Sequence, residues 1–265
     1  MCRPWSGGSL LLMILAVAHL AAIGFTQSDS DGGSGCEAVR AVVVVSARMI
    51  LDSATLKQLD NDVQSLVDCL PPGAVLEFDL PELVLNDSVE LRSPITIEGN
   101  EALVQCPDDQ RKGAFQIRSN DVTLSALVFK RCSLNSTESL IHLKNSNNVT
   151  LKHVEFEGNK NVGGGPAGLS AGESEFRLLN VTAWNNTGSL GGVIAALDNS
   201  QAAILHSNFT RNVALESGGA IYLQETNVTI RESTFEWNKA GGQGGAVYAQ
   251  VIQEKKWEVT PCQKI

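Results

Sequence analysis

The sequence predicts an all-β chain, folded as a right-handed single-stranded parallel β-helix with an N-terminal α-helical cap. Three series of residues recur every 26 or 27 positions over much of the chain. Within each copy apolar and polar residues alternate, as at 149–151 and 228–230, which is strand periodicity. One coil per repeat stacks each strand on its copy in the next coil, about 4.8 Å away, and buries the shared apolar face.

The three series hold one register through six or seven predicted coils. The first has Phe129, Phe156, Ala183, Phe209 and Phe235, with successive steps of 27, 27, 26 and 26 residues. The second has Ile97, Leu124, Leu151, Leu178, Ile204 and Ile230. The third has Ala114, Leu140, Ala167, Val193, Ala220 and Ala246, and its last three members follow glycine pairs suited to tight corners.

A polar column follows the phenylalanine series and contains Asn159, Asn186, Asn212 and Asn238. Asparagine tolerates the left-handed corner conformation, and its amide can bond to the same amide one coil away. We therefore predict a structural asparagine ladder; the alternative is a ligand-binding strip.

Two cysteines are predicted to begin this ladder. Cys132 holds the ladder position of its coil, and Cys106 lies 26 residues earlier. Stacked on adjacent coils, they would have Cα atoms about 5 Å apart, within disulfide range. We predict a Cys106–Cys132 disulfide, with two buried thiols as the alternative. Cys36 and Cys69 form the natural second pair.

The N-terminal part divides into three segments. A short basic start and an apolar run predict a cleaved signal peptide over residues 1–25, the alternative being a membrane anchor. Residues 26–52 are predicted to form a leader and a first strand. Residues 53–73 are predicted to form a capping helix, with Ser53 as N-cap, and with Leu56, Leu59, Val63, Leu66, Val67 and Leu70 on one face.

The coils are predicted to span residues 74–250, followed by an irregular tail over 251–265. The tail breaks the repeat where another strand is expected. We expect either a C-terminal cap or, as the favoured interpretation, a truncated chain whose last coil would otherwise be exposed.

Seven Asn-x-Ser/Thr sequons predict a glycosylated protein that is secreted or displayed at the cell surface. They begin at Asn86, Asn135, Asn148, Asn180, Asn185, Asn208 and Asn227. The alternative is that Asn-Val-Thr is simply a natural strand start, which a repeat would multiply.

Composition excludes several partners and cofactors. The net charge is -9 without clustered Lys or Arg, so nucleic acid and, after signal cleavage, membrane are not expected partners. No Cys/His spacing typical of zinc, no phosphate-binding loop and no dinucleotide fingerprint occurs in the sequence, so no metal and no cofactor is predicted.

Two groups of motifs resemble known families. The capping helix, the Pro-Pro-Gly at 71–73 and the segment 94–100 resemble the start of pectin-lyase-like right-handed β-helices. The Gly-Gly-Ala-Ile at 218–221 and the Phe-Glu-Trp-Asn at 235–238 are similar to the GGAI and FxxN repeats of chlamydial polymorphic outer-membrane proteins. The first resemblance implies the fold, and the second implies a surface adhesin.

Catalytic residues are hard to assign. Glycoside hydrolysis needs two carboxyl groups about 5–10 Å apart, and Glu157 and Glu236, which share a column, are three coils apart. His206 and Glu232 should be neighbours on adjacent coils and are a weak candidate for a surface site. We therefore predict a non-enzymatic β-helix for adhesion or for binding a polysaccharide or a cell-surface protein. The alternative is a polysaccharide lyase or glycoside hydrolase, or a degenerate relative.

Overall fold

The computed structural model of the chain describes residues 48–58, 62–250 and 258–259. The predicted signal peptide, Cys36, Leu59 and most of the predicted tail lie outside these residues. Within them the chain forms a right-handed parallel β-solenoid of about eight turns. In the same part of the chain, no helix has both the length and the apolar character that crossing a membrane requires.

Three parallel sheets run along the solenoid. Sheet A contains 14 strands: β1 (Arg48–Asp52), β2 (Ala74–Asp79), β3 (Glu82–Val84), β5 (Ile95–Gln105), β7 (Val122–Lys130), β10 (Val149–Lys152), β11 (Glu155–Glu157), β14 (Glu175–Leu179), β15 (Thr182–Trp184), β18 (Gln201–Leu205), β19 (Asn208–Thr210), β22 (Asn227–Arg231), β23 (Thr234–Glu236) and β26 (Glu258–Val259).

The other two sheets are smaller. Sheet B contains β4 (Val89–Leu91), β6 (Phe115–Ile117), β9 (Ile141–Lys144), β13 (Leu169–Gly172), β17 (Ile194–Leu197), β21 (Ile221–Gln224) and β25 (Val247–Gln250). Sheet C contains β8 (Ser133–Leu134), β12 (Lys160–Asn161), β16 (Thr187–Gly188), β20 (Val213–Ala214) and β24 (Lys239–Ala240).

Sheet A bends along its length into two wings. β5 and β7 run through the bend, whereas later coils divide there into two strands. The first wing holds β10, β14, β18 and β22; the second holds β11, β15, β19 and β23. Nine rungs stack in line with the first wing, from β1 to β26, which exceeds the six or seven coils expected. The excess arises partly because β1 and β2, which precede the recognisable repeat, already pair in parallel.

The predicted columns are stacked in the core. Leu151 lies between Leu124 and Leu178 in the sheet register, and all three are fully buried. Phe129 and Phe156 stack with ring centroids 5.4 Å apart. Such contacts bury the apolar face that no single coil could cover alone.

Each corner of the coil is made by a residue with positive φ. One column of them is Asn145, Glu173, Asp198 and Glu225; a second is Ala126, His153, Asn180, His206 and Glu232; a third is Arg131, Gly158, Asn185, Arg211 and Trp237. The sequence interpretation placed the ladder asparagines in this conformation, and that was wrong. The residue before each ladder position adopts it instead, because this turn directs the following side chain inward.

The two glycines of the Gly-Gly pairs have different roles. Gly218 has φ +71°, and a Cβ there would lie 2.2 Å from the carbonyl oxygen of Ile221 in its own coil. A Cβ on Gly219 would lie 2.0 Å from the carbonyl oxygen of Gly245 in the next coil. The first glycine permits a tight turn onto its own strand, and the second permits close stacking of neighbouring coils.

Two short helices, α1 (Ser53–Gln58) and α2 (Val63–Cys69), occupy the region where one capping helix was predicted. The apolar face is buried as expected at the described positions Leu56, Val63, Leu66, Val67 and Leu70. The helices are not the first element of the stack, because β1 precedes them and pairs with β2.

The caps differ from those predicted. Asp52 rather than Ser53 caps α1, since its Oδ1 accepts the N–H of Thr55 at 2.7 Å. Asp62 caps α2, and its Oδ1 accepts the N–H of Ser65 at 3.0 Å. An aspartate that satisfies the free N–H groups of a first turn starts a helix, so the second cap begins a new helix inside the predicted one.

The second helix closes the free edge of sheet B. Gln64 in α2 accepts the N–H of Glu90 through Oε1 at 2.6 Å and donates from Nε2 to the carbonyl of Glu90 at 3.1 Å. Glu90 belongs to β4, the terminal strand of that sheet. The side-chain amide thus replaces the peptide group of a further strand and satisfies an edge that could otherwise pair with another chain.

Candidate functional site

A groove of about 280 Å³ lies on the outer face of the first wing of sheet A. It runs along the solenoid axis between two rows of outward-facing side chains, because alternate residues of a strand face the same side. One row contains Asn148, Glu175, Gln201 and Asn227, and the other contains Arg177, Ala203 and Thr229. The intervening residues of these strands turn into the core.

The groove is polar and suits a ligand rich in hydroxyl groups. Amide, guanidinium and hydroxyl groups of Gln201, Arg177 and Thr229 can donate to or accept from such a ligand. The short side chain of Ala203 leaves space between the longer ones. Of the described residues that line the groove, Glu175 alone carries a carboxylate, so the groove lacks the pair that glycoside hydrolysis uses.

A column of acidic residues beside the groove escaped sequence analysis. Glu173, Asp198 and Glu225 occupy equivalent corner positions on successive coils. The strands preceding them are offset by 25 and 27 residues, and the coil before by 28, so the repeat hides this column. In the described part of the chain, however, no three His, Cys, Asp or Glu residues are arranged to hold a metal ion.

The structure brings His206 and Glu232 together, as neighbours on adjacent coils. His206 Nδ1 lies 2.8 Å from Glu232 Oε2, and the two side chains are 50% and 70% exposed. Both residues sit in the corner column of positive φ, on the ridge between the two wings. An exposed pair of this kind contributes little stability, and neither residue lines the groove.

His142 is part of a buried polar cluster, a role that sequence reasoning did not assign to it. Its Nδ1 lies 2.8 Å from Ser170 Oγ, and that oxygen lies 2.8 Å from Ser139 Oγ. Ser139 also donates to the carbonyl of Ile141 at 2.6 Å. These residues lie at sheet B, where His142 and Ser170 are register partners on adjacent strands.

Counting protons in this cluster argues against an activated serine. The Ser139 hydroxyl proton points to the carbonyl of Ile141, so Ser170 must donate its own proton to Ser139. His142 must then donate from Nδ1 to Ser170, and it cannot accept the serine proton there. Burial lowers the pKa of His142, which favours the neutral imidazole that this arrangement uses.

The predicted asparagine ladder positions are linked by hydrogen bonds through the solenoid. Asn186 Oδ1 accepts the backbone N–H of Asn159 at 2.9 Å, and Asn212 Oδ1 accepts that of Asn186 at 3.1 Å. Asn186 also donates from Nδ2 to the carbonyl of Phe156 at 2.8 Å. Asn238 repeats the pattern toward Asn212. The side chains are buried and satisfied within the protein, so this column is a structural element.

The cysteine positions also lie together. Cys106 and Cys132 form a disulfide with Cα atoms 5.8 Å apart. The N–H of Cys132 donates to Asn159 Oδ1 at 2.9 Å, which places this cysteine in line with the ladder. Cys69 is also disulfide-bonded, and Cys36 lies outside the described residues, so the pairing of these two stays a prediction.

Two further ladders of hydroxyl side chains were missed. Ser174 Oγ accepts the N–H of Ser146 at 3.1 Å, and Ser200 Oγ accepts that of Ser174 at 3.2 Å. At the bend of sheet A, Ser207 Oγ accepts the N–H of Val181 at 3.1 Å. Each corner thus pairs a positive-φ residue with a following inward side chain. Serine gives no distinctive signal in the sequence, because it is also common in turns.

All seven sequon asparagines are exposed. Asn148, Asn180 and Asn185 occupy corners with positive φ, and Asn208 and Asn227 begin strands. Asn148 and Asn227 also line the groove. Attachment of a glycan at these asparagines is therefore sterically open, although it stays a prediction.

The description of the family whose profile matches residues 89–251 is "right handed beta helix region". This match covers more than half of the chain. The chain belongs to the right-handed β-helix family. No curated protein and no solved structure gives a significant match to the chain. The family membership agrees with the parallel sheets and stacked columns, and it leaves the ligand of this β-helix to be argued from its surface.

Proposed function

We propose that this β-helix is a secreted or cell-surface protein that binds carbohydrate without cleaving it. The observation that carries the proposal is the groove on the first wing, whose walls offer Arg177, Gln201, Asn227 and Thr229 but only one carboxylate, Glu175. Amides and a guanidinium arranged along a concave surface suit the hydroxyl groups of a sugar.

The sequence motifs support an extracellular role. The predicted signal peptide and the seven sequons point to the secretory route. The resemblance of the GGAI and FxxN repeats to those of chlamydial surface proteins supports adhesion, of which binding to a cell-surface glycan is one form. The alternative, a lyase or hydrolase, would need a second acid or base in the groove.

Glycan binding tests this proposal directly. The purified full chain is applied to an array of plant, algal and animal glycans, beside Arg177→Ala and Lys152→Ala. Lys152 is a matched control, since it lies on the same wing but outside the groove. Loss of a charge-assisted hydrogen bond is expected to weaken binding by about tenfold or more in Arg177→Ala. Lys152→Ala should bind as the parent does.

Turnover provides the contrary outcome. The same protein is incubated with pectins and related polysaccharides, with and without calcium. Release of reducing or unsaturated ends, or equal binding by the two variants, would contradict the proposal.

A further inference from the structure

Two sequons cross the groove, one at each end. The first is Asn148-Val149-Thr150 and the second is Asn227-Val228-Thr229. In each, the middle valine is buried and the two polar residues face outward. Asn148 and Asn227 therefore stand at the two ends of one wall of the groove.

The two coils between these sequons are built differently. They present Glu175 and Arg177 in one coil and Gln201 and Ala203 in the next. Neither coil has an Asn-x-Thr sequence at this place. Asn148 and Asn227 are three coils apart, which corresponds to about 14 Å at the strand spacing. The chemistry proposed for carbohydrate binding is thus concentrated in a two-coil segment between two sequons.

The geometry leaves both asparagines open to modification. Both are exposed. Asn148 donates one Nδ2 hydrogen to Asp121 Oδ1 at 2.6 Å, and the second hydrogen of that amide remains for substitution. In the transfer, a lipid-linked oligosaccharide diphosphate supplies the sugar. A bond forms between Nδ2 and the anomeric carbon, the bond from that carbon to the diphosphate breaks, and the amide proton leaves with the lipid diphosphate.

We propose that Asn148 and Asn227 each carry an N-linked glycan and that the two glycans limit the groove to the two coils between them. A polysaccharide running along the solenoid axis would meet both glycans. A short oligosaccharide, or a chain end lying across the axis, would reach Arg177 and Gln201. The inferred ligand is therefore short or terminal, and this restriction rests on the proposed carbohydrate binding.

Site occupancy is measured first. The full chain is produced in a eukaryotic secretory host, and enzymatic deglycosylation converts each formerly modified asparagine to aspartate, which peptide mass mapping detects. Modification at 148 and 227 is expected. An unmodified asparagine at either position would overturn the proposal.

Access to the groove is then measured without any ligand. A cysteine is introduced by Ala203→Cys, and its reaction with a bulky polymer maleimide is followed with Asn148 and Asn227 intact or both changed to glutamine. Because glycans are bulky, we expect the reaction to be about tenfold faster or more in the double variant. A small maleimide should react equally in both. Equal rates with the bulky reagent would overturn the proposal.

Two controls locate the effect. Asn86→Gln removes a sequon that does not line the groove and should leave the reaction at position 203 unchanged. Thr96→Cys, on the same wing three coils before Ala203, should react independently of the double substitution, because it is remote from Asn227. A large effect of Asn86→Gln would contradict a local barrier.

Binding separates this inference from the proposed function. Long polysaccharides should bind better to the double variant, whereas short oligosaccharides should bind equally to both forms. If no form binds any glycan although the glycans still slow labelling, the proposed function fails and the barrier itself stands. If long polysaccharides bind equally to both forms, the size restriction fails and carbohydrate binding stands.

Discussion

Replacing Asn186 with alanine is expected to lower the free energy of unfolding by about 1.5–4.5 kcal/mol. The N–H of Asn159 loses its acceptor, Oδ1 of Asn186, inside the protein. A buried donor left unsatisfied costs about 1–3 kcal/mol. The carbonyl of Phe156 loses the hydrogen bond from Nδ2, which adds about 0.5–1.5 kcal/mol. The substitution leaves the neighbouring sequon at Asn185 intact.

Urea unfolding followed by circular dichroism measures this effect on protein produced without glycosylation. Asn208→Ala is the matched control, because Asn208 is exposed and its change should stay within about 0.5 kcal/mol. The slope of the transition is compared as well, since repeat proteins can lose two-state behaviour. If Asn186→Ala differs from the parent by less than about 0.5 kcal/mol, the reasoning that the ladder satisfies buried backbone groups is wrong.

Three further predictions concern other parts of the solenoid. Gly219→Ala should destabilise the fold by about 1–3 kcal/mol or more in urea unfolding, because its Cβ would lie 2.0 Å from a backbone oxygen, whereas Gly245→Ala, with its nearest neighbour at 3.8 Å, should differ from the parent much less. Because burial lowers the pKa of His142, the unfolded chain binds more protons than the folded one between the folded pKa and about 6.5; stability should therefore fall as pH drops through this window, and His142→Gln should flatten that dependence in unfolding measured at several pH values. Reduction of the Cys106–Cys132 disulfide, which spans 26 residues, should lower stability by about 3.5 kcal/mol in the chain-entropy description, and an unchanged urea midpoint in the double serine variant would contradict it.

The repeat in the sequence was sufficient to predict the sheet register in the central coils. Leu124, Leu151 and Leu178 lie side by side, as their spacing required, and Phe156 stacks on Phe129. This succeeded because in a parallel stack residues one coil apart must meet, so that a sequence period is also a spatial neighbourhood.

The corners were less predictable because their backbone is set by position rather than by residue type. Ala126, His153 and Glu232 adopt the same positive φ in one column, although only glycine and asparagine favour it. The stack imposes this conformation on whichever residue falls there. The assignment of positive φ to the ladder asparagines failed for this reason: residue preference pointed to the asparagine, and the coil placed the turn one residue earlier.

The functional surface was the least predictable part. The groove depends on which outward residues of four successive coils lie beside one another, and their types differ from coil to coil. No repeated pattern marks Glu175, Gln201 and Asn227 as one wall. The His142 cluster was missed for a similar reason, because Ser139 and Ser170 meet only through the stacking of two coils and a turn between them.

The ladder also bears on how such a molecule can change in length. Each asparagine completes a backbone group of the coil before it and leaves its own N–H to be completed by the coil after it, as Asn186 does between Asn159 and Asn212. A whole coil is therefore an interchangeable unit with one matching donor and one matching acceptor. Duplicating or deleting a complete coil restores every bond of the ladder, whereas adding or removing part of one breaks it. Gene rearrangements in multiples of one repeat can lengthen or shorten the groove while the rest of the solenoid keeps its structure.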